Sequence, residues 1–331
     1  MLPEVSRFFL AALLLVTACV RSPSSPSPDP TSPAVPQSGT TAFFGRLIAT
    51  VTGEPLAGIT LDLGGFSTVT STDGAFRFEW PAGTRHEVSR LTIEGPGILA
   101  RSLFIRTSET REVTLDAIAL DGGFDLDYYR RLVRRGLDQP DNLLALRRWM
   151  QAPRVYLRTV DEAGVPIDQL TLSTVTEALL SEPEAWTGGR FGIEELASGV
   201  ESREGLKGWV TVKWPSPAIE GICAQAQVAV DGEWIELNYL SARCGCNGSR
   251  MAPGLVRHEL GHTMGFFHTN DAGDLLTARV GFAAACSGRA SERERLHAAI
   301  AYSRSPGNLD PDADPGSVLH GHIPSPIVII D

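Results

Sequence analysis

The chain has 331 residues, of which 43% are hydrophobic and 21% charged, and a net charge of −10. That length admits two modest domains, and that composition excludes a wholly disordered chain. The acidic excess and the lack of a basic patch exclude nucleic acid as a partner.

The first stretch reads as an address. Phe8–Val16 is an apolar run behind a weakly basic start, too short to span a bilayer and suited to the core of a signal peptide. It ends in Val16-Thr17-Ala18-Cys19, which resembles the lipobox of bacterial lipoproteins. The resemblance implies that residues 1–18 are removed and that the Cys19 thiol carries lipid. An ordinary secretory signal is the alternative. Residues 19–41 form a tether, since Arg21–Gly39 is dominated by Ser and Pro and cannot bury enough apolar area to offset chain entropy. The expected place is the bacterial cell envelope, lipid-anchored to the membrane on the extracytoplasmic side. Val20 after the cysteine favours the outer membrane if the cell is Gram-negative.

From residue 42 to 119 the texture is short alternating strands punctuated by Gly. Strands are expected at Phe43–Val51, Ile59–Leu63, Ser67–Ser71, Ala75–Trp80, Arg90–Ile93, Ser102–Arg106 and Arg111–Leu115, an antiparallel β-sandwich. Gly53-Glu-Pro-Leu-Ala-Gly58 and Thr70-x-x-Asp73-Gly74-x-Phe76 resemble the carboxypeptidase regulatory-like, transthyretin-like domains. That likeness implies a spacer or binding module without chemistry, and His86 reads as a loop residue. Residues 120–150 read as a helical connector, with an amphipathic Phe124–Gly136 followed by a helical Asp141–Met150. The run Arg130-Arg131-Leu-Val-Arg134-Arg135 reads as a solvated helix face.

Residues 151–331 are mixed. Arg154–Val160 is strand-like, Leu170–Glu182 an amphipathic helix opening with Thr171, Ser173 and Thr174, and Trp186–Gly189 a turn. Gly208–Trp214, Ala224–Val230 and Glu233–Leu240 are strands, the last two a hairpin. A helix at about Ala252–Phe266 carries His258-Glu259-x-x-His262-x-x-Gly265-x-x-His268. One helical turn separates His258 from His262, so both imidazoles leave one face and grip one ion. Gly265 lets the chain turn out of the helix and bring His268 round as the third ligand. Three protein ligands with one open position suit a catalytic zinc, and Glu259 is placed to handle the proton of an attacking water.

This motif resembles the metzincin clan of zinc endopeptidases. The resemblance implies an α+β domain with a twisted sheet over two helices, and a peptide substrate that pairs along an edge strand. Trp234, Ile235, Glu236, Leu237, Asn238 and Tyr239 are the candidate edge. The chain departs from the clan in having no methionine after His268; Leu276 is the candidate for the apolar floor beneath the zinc that a methionine turn supplies. Tyr302, on an apparent helix Ser291–Tyr302 with His297, reads as core more readily than as a switch tyrosine.

Cys223, Cys244, Cys246 and Cys286 are an even number, as disulfides in an exported protein require. A bridge between Cys244 and Cys246 would be strained, which leaves 223–244 with 246–286, or 223–246 with 244–286. A second metal site on Cys244-x-Cys246 is the other reading. Asp310, Asp312 and Asp314 alternate as in a calcium loop but lack its glycine and glutamate, so an acidic loop is preferred to structural Ca2+. His320 and His322 fall on opposite faces of any strand, and Ile327–Ile330 reads as a last strand packing back. The whole describes a multidomain protein: an all-β sandwich followed by an α+β, metzincin-like zinc endopeptidase acting on peptides or proteins. A binding or adhesion lipoprotein with a vestigial zinc site, and a zinc amidase acting on cell-wall peptides, are the alternatives.

Overall fold

Alternating apolar residues between Gly- and Asp-rich turns build seven strands in the first part of the fold. They are β1 (Thr40–Ala49), β2 (Thr60–Leu63), β3 (Phe66–Val69), β4 (Ala75–Pro81), β5 (Ser89–Glu94), β6 (Arg101–Ile105) and β7 (Arg111–Ala117). The computed structural model describes residues 40–81, 88–106, 111–228, 232–278, 286–316 and 327–330. The signal stretch, Cys19, the tether up to residue 39, His86, His320 and His322 lie outside them; residues 40 and 41, expected in the tether, belong to β1.

The seven strands form a three-stranded sheet, order β4-β1-β7, and a four-stranded sheet, order β3-β2-β5-β6. Phe43, Leu47, Phe76 and Trp80 of the first meet Leu61, Leu63, Leu91 and Ile93 of the second in one core, which makes a β-sandwich. It is not wholly antiparallel, because β1 and β7 pair parallel. Only strands joined by a tight turn must run antiparallel, and these two are far apart in sequence.

Helix α1 (Leu126–Arg134) is capped by Asp125, whose side chain accepts from the Tyr128 backbone N–H at 3.0 Å. Its apolar face, Tyr128, Tyr129, Leu132 and Val133, enters a second and larger core. The arginine run is not simply a solvated face. Arg134 is fully buried and donates to the carbonyl and side-chain oxygens of Asn308, both at 2.7 Å, and Arg130 pairs with Asp310 at 2.8 Å. Residues 141–150 are not helical either. They run as an irregular strap whose backbone groups bond across the fold: the Leu144 N–H donates to Arg134 O, and the Leu146 N–H to Asn308 O. Partners elsewhere replace the local ladder a helix would need.

The larger core is built on β8 (Arg154–Arg158), β9 (Glu195–Gly199), β10 (Trp209–Lys213), β11 (Ala224–Gln227), β12 (Glu233–Leu237) and β13 (Val328–Ile330). With them come helices α2 (Gln169–Ser181), α3 (Pro183–Thr187), α4 (Pro253–Thr263) and α5 (Glu292–Tyr302). The six strands form one mixed sheet, order β13-β11-β12-β10-β8-β9, with β11 antiparallel to both of its neighbours. Helix α4 packs on β11 and β12, and α2 packs on α4. Asp168, not one of the threonines, caps α2, through the Thr171 N–H at 2.9 Å. Two elements were not foreseen. Trp186 belongs to the short helix α3, opened by Pro183 and closed by Gly188; β9 reads Glu-Leu-Ala-Ser-Gly, which carries no alternation, and exists through its pairing with β8.

The expected edge strand is corrected. β12 lies between β11 and β10, so Trp234, Ile235, Glu236 and Leu237 are on an interior strand. Asn238 and Tyr239 lie beyond its end and are buried: the Asn238 amide donates to Ile219 O and Ile222 O, and the Tyr239 hydroxyl to Asp161 at 2.8 Å. Alternation in sequence says that a strand has two faces, and it carries no information about how many neighbours the strand has.

Disulfides join Cys223 to Cys244 and Cys246 to Cys286, one of the two expected pairings, with Cα separations of 5.4 and 5.6 Å. All four cysteines are thereby spoken for, which removes the second metal site on Cys244-x-Cys246.

Candidate metal centre

Helix α4 starts with Pro253 at its first turn and runs through both histidines of the motif. Every residue from Gly254 to Thr263 is buried. The chain leaves the helix at Gly265, whose φ of 108° is one that a side chain would resist. This turn carries Phe266 and Phe267 into packed positions and presents His268 to the helix.

The three histidines converge. His262 Nε2 lies 3.0 Å from His258 Nε2, and His258 Nε2 lies 3.2 Å from His268 Nε2. Among the described residues this trio is the group able to hold a metal ion. Tetrahedral ligation at zinc–nitrogen distances near 2.05 Å would set the nitrogens about 3.3 Å apart. The opposite ring nitrogens are committed: His258 Nδ1 is 2.7 Å from Leu275 O, and His262 Nδ1 is 2.8 Å from Phe266 O. A carbonyl only accepts, so each Nδ1 carries the proton and each Nε2 presents a lone pair. Two lone pairs at 3.0 Å repel unless a cation sits between them, so the donor set fits a metal.

Glu259 is fully buried beside the trio, and the histidines are between 0% and 8% exposed. The loop after His268 packs on this helix. Leu276 is fully buried, and a Cβ added to Gly261 on the metal helix would meet its methyl carbons at 3.1–3.2 Å and the Trp186 ring at 3.0 Å. Leu276 therefore lies directly against the helix that carries His258 and His262.

Two acidic residues that the motif did not announce hold this loop. Glu294 accepts from the backbone N–H groups of Leu276 at 2.7 Å, Leu275 at 3.0 Å and Ser291 at 2.7 Å. Asp274 accepts from Tyr128 and Thr269 hydroxyls at 2.7 Å each and from Ser291 Oγ at 2.8 Å. Burial pushes the Glu294 carboxyl up to about 7 against the pull of those three N–H groups. A readable signal existed for Glu294, since Ser291-x-x-Glu294 is a capping box and both of its hydrogen bonds are present.

Other candidates are resolved as structure. The Tyr302 hydroxyl donates to Met264 O at 2.8 Å within the core. His297 is buried among Phe124, Tyr128 and Tyr129, accepts from the Asp125 N–H at Nε2 and donates to Arg293 O through Nδ1. The three loop aspartates do not converge on a cation: Asp310 pairs with Arg130, Asp312 with Arg304 and Asp314 with Arg101. Arginine has taken the charge that calcium would need, which corrects the calcium option.

No protein-family model matches this chain, and no curated protein matches it. Solved structures similar to part of it include a type II cohesin–X-dockerin complex from Acetivibrio cellulolyticus, at 17% identity, TM-score 0.20, over 25% of this chain and 61% of that one. Another is a DUF3823 family protein from Parabacteroides merdae, at 19% identity, TM-score 0.20, over 25% of this chain and 48% of that one. The chain thus spans about half to three fifths of the length of these structures.

Proposed function

We propose that this chain is a zinc-dependent endopeptidase of metzincin type, anchored by lipid at Cys19 on the outer side of a bacterial membrane. The observation that carries the reading is the pair of Nε2 lone pairs, His258 and His262 at 3.0 Å, with His268 beside them and Glu259 next to the first ligand. A six-stranded mixed sheet that carries α4, with α2 packed on α4, supports the reading. The two disulfides suit an oxidising compartment outside the cytoplasm, and no described helix is long and apolar enough to cross a membrane.

His258, His262 and His268 would hold the ion. When bound, zinc supplies Lewis acidity that polarises a scissile carbonyl and acidifies a water. Glu259 receives the proton of the attacking water on a carboxylate oxygen and passes it to the leaving amine nitrogen. Leu275 O and Phe266 O keep His258 and His262 in the tautomer that ligates. Leu276 fills the apolar floor where the clan has methionine; neither side chain is a ligand, so similar volume suffices.

The test is metal content and peptide hydrolysis measured together. The purified protein is expected to carry one zinc per chain, and Glu259→Ala to retain it while hydrolysis of a quenched peptide library falls by about 10²-fold or more. Undiminished hydrolysis by that variant, or a protein that takes up no zinc, would sink the reading.

A further inference from the structure

The order of the six-stranded sheet places β11 outermost but for one short piece of chain. β13 adds three residues to its outer edge, pairing antiparallel as Gln227↔Val328, Ala226↔Ile329 and Gln225↔Ile330. The Val228 N–H continues the ladder by donating to Ile327 O. A bare edge strand is a template for any extended chain, and here the protein's own late segment occupies it.

What anchors that segment is small and local. Ile329 is 5% exposed and packs with Val228 and Phe267 in a cluster separate from the main core. Val328 and Ile330 point away and are 40% and 59% exposed. The contact is therefore one buried side chain, with the half-buried Ile327 packed against the same cluster, and a short backbone ladder. Its location is specific: Phe267 precedes His268, and β11 lies on helix α4, which carries His258, Glu259 and His262. The trio and Glu259 are buried in this conformation, so a polypeptide must displace something to reach them.

We infer that Ile327–Ile330 is a built-in competitor: it fills, as a displaceable strand, the edge on which an extended polypeptide docks beside the metal centre. Its occupancy of β11 holds the protein in a closed state, and an incoming strand of β-branched or aliphatic residues replaces it residue for residue. This rests on the zinc-peptidase reading for its consequence, but the docking itself is measurable without catalysis.

The test uses the full chain and three kinds of variant. Ile329→Asp places a charge in the Val228–Phe267 contact, and a chain ending at Pro326 removes the strand. Gln227→Cys with Val328→Cys joins a directly opposed pair and locks it shut, each single cysteine serving as control. The probe is a synthetic peptide of residues 326 to 331 with a lysine tail. Amide exchange at Ala226 and Val228, whose N–H groups face β13, is expected to rise about tenfold or more in the Ile329→Asp and shortened chains, and to fall back when the peptide is added. Hydrolysis of the quenched peptide library is expected to rise in the opened chains, to be inhibited by the added peptide, and to be lost in the locked one.

Exchange that does not change on opening, or does not respond to the peptide, overturns the inference. So does hydrolysis that is equal in the locked and opened chains. If the opened edge takes the peptide and no variant hydrolyses anything, the docking edge stands and the peptidase reading falls.

Discussion

At the residue scale the centre depends on a group that reaches the histidines only through two successive hydrogen bonds. Glu294 fixes the backbone of Leu275 and Leu276, and Leu275 O fixes the His258 ring. In Glu294→Gln one oxygen becomes an NH2 that cannot accept, so at least one backbone N–H loses its partner. Zinc affinity is expected to drop about tenfold or more, read by competition with a chromophoric chelator. Glu294 and His297 also set opposed pH slopes in the metal-free protein. Between the ordinary value of 4.5 and about 7, folded Glu294 keeps a proton that the unfolded chain has released, so its contribution falls as pH rises. Burial lowers the His297 pKa below 6.5, so the unfolded chain gains a proton there that the folded one refuses, and stability falls as pH drops. Thermal melts from pH 4.5 to 8 are expected to show a steeper rise with pH in Glu294→Gln than in the parent. Parallel profiles would contradict the assignment.

At the element scale the metal helix is held from both ends. Gly265 ends it at a φ of 108°, and Gly265→Ala is expected to cost about 1–2 kcal/mol and to weaken metal binding by moving His268. Equilibrium unfolding and a metal titration on one preparation check both halves of that statement. The Cys223–Cys244 bridge ahead of the helix and the Cys246–Cys286 bridge spanning it close loops with separations of 21 and 40 residues. Chain-entropy reasoning gives about 3 and about 4 kcal/mol, so Cys286→Ser is expected to lower the denaturant midpoint more than Cys223→Ser does.

At the scale of the molecule the sandwich and the metal-bearing part are joined by a buried charge network. Asp116 on β7 accepts from Arg101 and from Arg304, the latter at 2.5 Å, and Arg304 also grips Asp312 at 2.8 Å. Arg304 is fully buried and Arg101 nearly so. Asp116→Ala leaves both short of a counter-charge and is expected to cost about 3–5 kcal/mol in chemical denaturation. Arg46→Ala, which breaks an exposed pair with Asp73, is the control and should change stability by less than about 1 kcal/mol.

Much of this protein was legible in local pattern. The seven sandwich strands, the amphipathic α1, the metal helix and the His258–Glu259–His262–Gly265–His268 spacing all follow from periodicity and from residue types whose chemistry is local. Pairing was not legible. That β12 is interior, that β11 is the edge and that Val328–Ile330 covers it depend on which strands lie side by side, and no residue pattern within one strand reports its neighbours. The same holds for Arg134, read as part of a solvated face, and for Asp274 and Glu294, whose partners are distant backbone groups and hydroxyls. By itself the sequence picked out the three histidines that converge, because their spacing is set by one helical turn and one glycine. Only the tertiary structure decided what orients those side chains and which strand covers β11, because contacts between segments far apart in the chain carry both.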